Sequence, residues 1–360
     1  MLTVVIPLSN AAEAGGMEYP TFITAASFAS LQPKTLAGFG LDFVTIHEFG
    51  HGYFYGILAS NEFEEPILDE GLNEYWDQRM LRARGQDIHA TAPWLKRLGF
   101  APAFKVFEFE RMAAPRQDAA DPLGQNAWNR LQGVGPVYSR TATTLRDLEA
   151  RIGGEAMERG FKAYYAQWKF RHPSVADLRE ALAEATGQRR IVEQVFAQQV
   201  HASANIDDRI GSFTSEEQTP LAGLALVNGK RVERTPEALE KEEEKVREAW
   251  DKAHPDAKPG TGPYPYLTSV VLRRRGAPVP QVLLVKFADG SSERVVWDNG
   301  QLWQRYTWSK PVKAVSAELD PDRVHYLDVN KLDDSRTLKA DTSAARRWSF
   351  DLAAAFQYLL

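Results

Sequence analysis

The 360-residue sequence predicts an α+β fold: a mostly helical first part opened by a short mixed sheet, then a small antiparallel, β-sandwich-like part. Three observations predict it. From the forties to Gly187, apolar residues recur at helical spacing. From Tyr266 to Leu319 the period drops to two, and Asp289-Gly290 and Asp298-Asn299-Gly300 punctuate it as hairpin turns. Between the two, residues 231–258 are dense in Glu and Lys, and residues 255–265 are rich in Pro and Gly. The expected organisation is a main domain at 1–200, a charged helix and linker at 201–265, a β domain at 266–330, and a tail with an apolar helix at 331–360.

In chain order, Thr3, Val4, Val5 and Ile6 make residues 2–8 a strand; the stretch is short for a secretory leader and has no basic start. Gly15-Gly16-Met17-Glu18-Tyr19-Pro20 follows. Paired glycines before a lone acid mark either a simple turn or backbone that approaches something closely. Residues 21–25 read as a second strand. Phe43, Val44, Ile46, Phe49, Tyr53, Phe54, Ile57 and Leu58 then belong to a helix expected to be buried. Gly50 and Gly52 each disfavour that helix by roughly 1 kcal/mol relative to alanine, so close packing is expected to hold both. Pro66 suits a first helical turn, and Leu68, Leu72 and Tyr75 mark the buried stripe of a second helix.

Residues 84–135 are polar and proline-spotted, with helices but no clear chemistry, and His89 reads as a surface residue. Tyr138 opens a helix with Leu145, Leu148 and Ile152 on one face, ended by Gly153-Gly154. Residues 161–168 continue as an aromatic-rich helix. Ser174 and Asp177 have capping-box spacing before Leu178 and Leu182, and Gly187 closes that helix. Strands are expected at 267–273, 279–287, 293–297, 302–308 and 312–319, with their tryptophans in the core and Arg273-Arg274-Arg275 as a solvated strand end. The last eleven residues are apolar and rise about 16 Å as a helix, against about 30 Å of bilayer core. They read as a packed terminal helix, or as a membrane contact continued in a longer parent.

Composition excludes several classes. A net charge of -5, with 44% hydrophobic and 25% charged residues, carries no electrostatic footprint for nucleic acid. Zero cysteines leave neither disulfides nor a thiolate zinc site.

The chemistry concentrates in residues 44–76. His47 and His51 stand four apart, so on a helix they project from one face and can share a metal ion. Glu48 is turned about 100° from His47, close enough to act on a water at that metal without binding the metal itself. Glu70, from the second helix, completes a His₂Glu set, which leaves a fourth position open as a catalytic zinc requires. The expectation is one Zn²⁺ per chain and a peptidase.

With these residues in place, the sequence resembles the gluzincin aminopeptidases of the aminopeptidase N (membrane alanyl aminopeptidase) family over about residues 2–187. The resemblance rests on GGMEYP at 15–20, HEFGH at 47–51 with LDEGLNEYW at 68–76, and Tyr138 in VYSRTATTLRDLEARIG. It implies a thermolysin-like catalytic domain followed by a β-sandwich, and the run HYLDVNKLDDSRT looks like the end of that region in bacterial members. It further implies that His47, His51 and Glu70 ligate zinc, that Glu48 is the general base, and that Tyr138 donates to the oxyanion. By the same resemblance Glu18 pairs with the free α-ammonium of a peptide substrate, and Gly15, Gly16 and Met17 line its backbone as an edge strand. Two departures stand out: Tyr19 occupies a position where the family commonly has Asn, and the family's β-rich amino-terminal domain is not in this sequence.

Two other functions stay open on the sequence. One is a peptidase-fold scaffold that binds a partner without catalysis; the other is a thermolysin-like endopeptidase.

Overall fold

The computed structural model describes residues 3–5, 15–25, 36–85, 87–89, 103–105 and 121–342, with Arg346 and Ser349. The apolar stretch 350–360 lies outside the described residues. Among those that are described, no helix is long and apolar enough to cross a membrane. The described residues up to Asn205 form one compact unit with Val324–Val329, and Ile206–Arg323 form another with residues 330–342.

The first unit opens with the expected short mixed sheet. Strands β1 (Thr3–Val5), β2 (Gly16–Met17) and β3 (Phe22–Ala25) run in the order β1-β3-β2, with β1 parallel and β2 antiparallel to β3. Helices α1 (Leu36–Phe54) and α2 (Glu70–Arg84) follow, joined by a loop whose last turn, Pro66–Leu68, is a short 3₁₀ helix. A small hairpin pairs β4 (Asp87–His89) with β5 (Ala103–Lys105). Helices α3 (Gly135–Ile152), α4 (Gly154–Trp168), α5 (Val175–Thr186) and α6 (Arg189–Val195) complete the unit, the last widening into a π-helical turn at Phe196–Val200.

Local chemistry sets these boundaries. Gly85, at φ 63°, ends α2 in the left-handed conformation that a side chain would strain. Gly153, at φ 92°, breaks α3 from α4. Ser174 and Asp177 form the reciprocal capping box that the sequence predicts. Leu72, Tyr75, Leu145, Leu148, Met157, Phe161, Leu178 and Leu182 then meet in one buried core, where Tyr75 stacks on Phe161 at 5.7 Å between ring centroids. A Cβ at Gly71 would fall 2.7 Å from Thr141, so α2 and α3 approach each other there closely enough to require glycine. That approach sets Glu70 beside the helix carrying Tyr138.

Helix α1, expected to be buried, is buried on one side only. Phe39, Phe43 and Ile46 pack against Leu81 of α2, but Phe49 and Tyr53 remain about half exposed. Gly50 is held by close packing as expected. Gly52 is not, since nothing lies within 4 Å of the place its Cβ would take.

The second unit is a β-sandwich. Strands β6 (Asp208–Glu217), β9 (Thr261–Arg274) and β12 (Trp303–Val312) form one sheet in the order β12-β9-β6. Strands β10 (Gln281–Phe287), β11 (Ser292–Trp297), β13 (Ala314–Leu319) and β14 (Ser335–Thr337) form the other, in the order β11-β10-β13-β14. Ile210, Phe213, Val270 and Leu272 from the first sheet meet Leu283, Val285, Phe287 and Trp297 from the second. Within the span read from the sequence as charged helix and linker, the structure holds a helix, α7 (Pro236–Ala253), but also β6 and a hairpin of β7 (Gly223–Val227) with β8 (Lys230–Arg234). Two expectations change here. Trp297 is core, but Trp303 is mostly exposed. Arg274 is not solvated: it is buried, grips Asp208 through Nε and Nη2 at 2.8 and 2.9 Å, and lies 4.0 Å over the Trp297 ring.

Candidate metal centre

Helix α1 presents His47, Glu48 and His51, and α2 presents Glu70 across from them. His47 Nε2, His51 Nε2 and Glu70 Oε2 form a triangle with edges of 3.1, 3.2 and 3.4 Å. A tetrahedral zinc with bonds of about 2.0–2.1 Å needs ligand atoms about 3.3 Å apart, so the donor set fits that ion. The other ring nitrogens are also committed. His47 Nδ1 donates to Asp77 Oδ2 at 2.7 Å, and His51 Nδ1 donates to Asp69 Oδ1 at 2.7 Å. A carboxylate only accepts at neutral pH, so these bonds keep a proton on each Nδ1 and turn both Nε2 atoms towards the shared point, where an ion would displace the second proton of each ring.

Charge at the site follows from burial and these bonds. Burial alone would lower the His47 pKa, but the hydrogen bonds to Asp77 and Glu70 prevail and hold it at about 10. His51 is likewise lowered by burial and raised more strongly by Asp69 and Glu70, again to about 10. Burial would raise Glu70, yet its bonds with His47, His51 and Tyr138 pull it to about 2. Burial pushes Glu48 up to about 7, against the pull of His47 and His51. Glu74, one turn beyond Glu70, is raised to about 7 by burial and then by the charge of Asp77.

The remaining residues singled out in the sequence divide between near and far. Tyr138 is brought in: its ring stacks on His47 with centroids 5.7 Å apart, and burial followed by the bond to Glu70 lifts its hydroxyl well above the usual phenol range. One carboxylate oxygen of Glu18 lies within 4.8 Å of donor atoms of Glu48 and His51. Gly16 lies directly on the Glu48 side chain; a Cβ there would sit 2.5 Å from Glu48 Cδ and closer still to its oxygen. Gly15 and Met17 are exposed, and β2 is an edge strand of its sheet. Sequence reasoning missed Asp69, Asp77, Glu74 and Asn73. Asp77 was findable, since it stands two helical turns beyond Glu70 and therefore shares its face.

The family model of the peptidase family M1 domain matches residues 1–199. No curated protein matches the chain. Among solved structures, aminopeptidase A from Legionella pneumophila in complex with aspartic acid is similar at 12% identity and a TM-score of 0.52. That match covers 90% of this chain and 31% of the Legionella chain, so this chain spans about a third of that neighbour's length. An M1 zinc metallopeptidase mutant from Deinococcus radiodurans, bound to a Tyr-Ser-Ala substrate, matches 54% of this chain and 38% of its own at 15% identity and a TM-score of 0.39. At 12% identity the likeness to the Legionella structure is one of fold.

Proposed function

The chain belongs to peptidase family M1, and on that footing we propose that it is a zinc-dependent aminopeptidase acting on peptides with a free amino terminus. The observation that carries the reading is the triangle of His47, His51 and Glu70 donors, backed by Asp77 and Asp69, with the Glu48 carboxyl beside it. His47, His51 and Glu70 would hold one zinc ion. When bound, the ion supplies Lewis acidity, acidifying a water molecule and polarising a substrate carbonyl.

The chain's own residues perform the remaining steps. Glu48 takes a proton from the attacking water on its carboxylate and passes it to the departing amine, a role typically worth 10²–10⁴ in rate. Burial holds its carboxyl above the usual carboxylate range, which favours accepting a proton and then passing it on. Tyr138, neutral at any working pH, donates its hydroxyl to the oxyanion that develops as the carbonyl is attacked, worth roughly 2.7–4 kcal/mol by analogy with other single donors. Glu18, beside Glu48 and His51, would pair with the substrate's α-ammonium and so favour cleavage at the amino end. The edge strand β2 offers backbone groups along which a substrate can lie extended.

The test is Glu48→Gln. The expected outcome is about one zinc per chain, as in the unsubstituted protein, with hydrolysis of amino-acid arylamides lost. Undiminished hydrolysis in that variant refutes the assigned base. Equal internal cleavage of amine-acetylated peptides would instead identify an endopeptidase.

A further inference from the structure

Asn73 is fully buried in α2, one turn beyond Glu70. Its Nδ2 donates to the backbone oxygen of His47 at 2.7 Å, which ties the helix of the third ligand to the backbone of the first. That bond also fixes the orientation of the amide, since the opposite one would set two oxygens against each other. Asn73 Oδ1 is left with no hydrogen-bond partner, pointing onto Gly50. A Cβ at residue 50 would sit 2.9 Å from Asn73 Cγ and nearer still to Oδ1. Glycine is therefore the residue that leaves room for this amide.

An unsatisfied buried acceptor typically costs about 1–3 kcal/mol. Helix packing alone would be served by alanine at both positions, with no orphaned oxygen and with better helix propensity at residue 50. The pair therefore calls for a reason other than packing. The one side-chain hydrogen bond that Asn73 makes among the described residues runs between the two segments that carry the donor triangle.

We propose that Asn73 is a positioning residue of the metal centre. It sets the spacing of His47 and His51 from Glu70 through the His47 backbone, and Gly50 is the vacancy that accommodates it. This rests on the zinc reading above, but it concerns two residues that neither bind the ion nor touch substrate.

The experiment is a double-mutant cycle of Gly50→Ala and Asn73→Ala, with Asn73→Asp as an isosteric variant that lacks the amide donor. Zinc affinity is measured by chelator competition well below the melting point of the metal-free chain, and melting of the metal-free chain is followed separately. Asn73→Ala and Asn73→Asp should each weaken zinc about 10- to 100-fold, the range seen when groups behind metal ligands are removed. Gly50→Ala should melt lower than either, and adding Asn73→Ala to it should raise the melting point again. Zinc affinity unchanged in both Asn73 variants overturns the proposal and leaves the metal site standing. A Gly50→Ala penalty that simply adds to that of Asn73→Ala overturns the mating of the two residues, and with it the proposal. No zinc binding by the unsubstituted chain overturns the metal reading and this proposal together.

Discussion

Gly16→Ala isolates the placement of Glu48 from the stability of the fold. The backbone of Gly16 is not in the left-handed region, so alanine can adopt it. The new Cβ would lie 2.5 Å from Glu48 Cδ, whereas ordinary contact begins at 3.4 Å. The carboxyl carbon must therefore move about 0.9 Å, and the nearer oxygen must move further. The obstructing atoms are the end of a flexible side chain, so the protein should yield by rotating Glu48, with a stability change within about 0.5 kcal/mol. Catalysis should not be so tolerant. A misplacement of about 1 Å can remove about 10² in rate, which corresponds to about 2.7 kcal/mol of transition-state stabilisation. The expected result is kcat for an amino-acid arylamide reduced about 100-fold, with zinc content and melting temperature unchanged. Gly52→Ala is the control, because its Cβ would enter open space; it should leave the rate alone and stabilise α1 by up to about 1 kcal/mol. An undiminished kcat in Gly16→Ala would refute the claim that Glu48 works from this position.

Other outcomes follow from the same geometry. Asp77→Asn and Asp69→Asn, each read as a zinc dissociation constant, should weaken binding about 10- to 100-fold, because each frees one imidazole to rotate and to change tautomer. With His47 and His51 both at about 10 in the metal-free chain, zinc binding at pH 7 should release close to two protons, readable by titration calorimetry in buffers of different ionisation enthalpy. Both histidines have folded pKa values above the unfolded 6.5, so their contribution to metal-free stability is fully present below pH 6.5 and is lost as pH rises towards 10. Chemical denaturation of metal-free protein between pH 6 and 10 should show that decline. In the second unit, Arg274→Met leaves Asp208 buried without its partner and should destabilise the sandwich by about 3–5 kcal/mol, measured by urea unfolding.

The donor triangle was legible in the sequence because each of its members depends on a local rule. Four residues of helix bring His47 and His51 together, and a second amphipathic stretch delivers Glu70. Mating between elements is a different matter. Asn73 against Gly50, and Gly16 against Glu48, depend on how two segments lie across each other, and no spacing within either segment encodes that. Burial of α1 was overestimated for a related reason: apolar residues lie all round the helix, but only the side carrying Phe39, Phe43 and Ile46 meets α2. Strand β6 escaped notice because its alternation breaks. The register shifts between Ile210 and Ser212, across Gly211, and the inward positions beyond it are Phe213 and the small polar Ser215, which bonds Thr268. Arg274 read as solvent-facing because its partner, Asp208, lies on that unrecognised strand.

The charges around the site explain why its acids can be so crowded. From Val44 to Asp77 the chain carries eight Asp or Glu residues and no Lys or Arg. Five of them, Glu48, Asp69, Glu70, Glu74 and Asp77, are largely buried around two imidazoles. Such a cluster has to import positive charge. In the metal-free chain the imidazoles supply it by holding protons to about pH 10, each on a carboxylate at Nδ1 and facing Glu70 at Nε2. A divalent cation bound at the two Nε2 atoms displaces two protons and brings two charges, so the net charge among the acids is the same in both states. The carboxylates behind the rings then need not rearrange when metal enters or leaves. The same geometry that would hold a cation also pairs these acids with protonated imidazoles when none is bound.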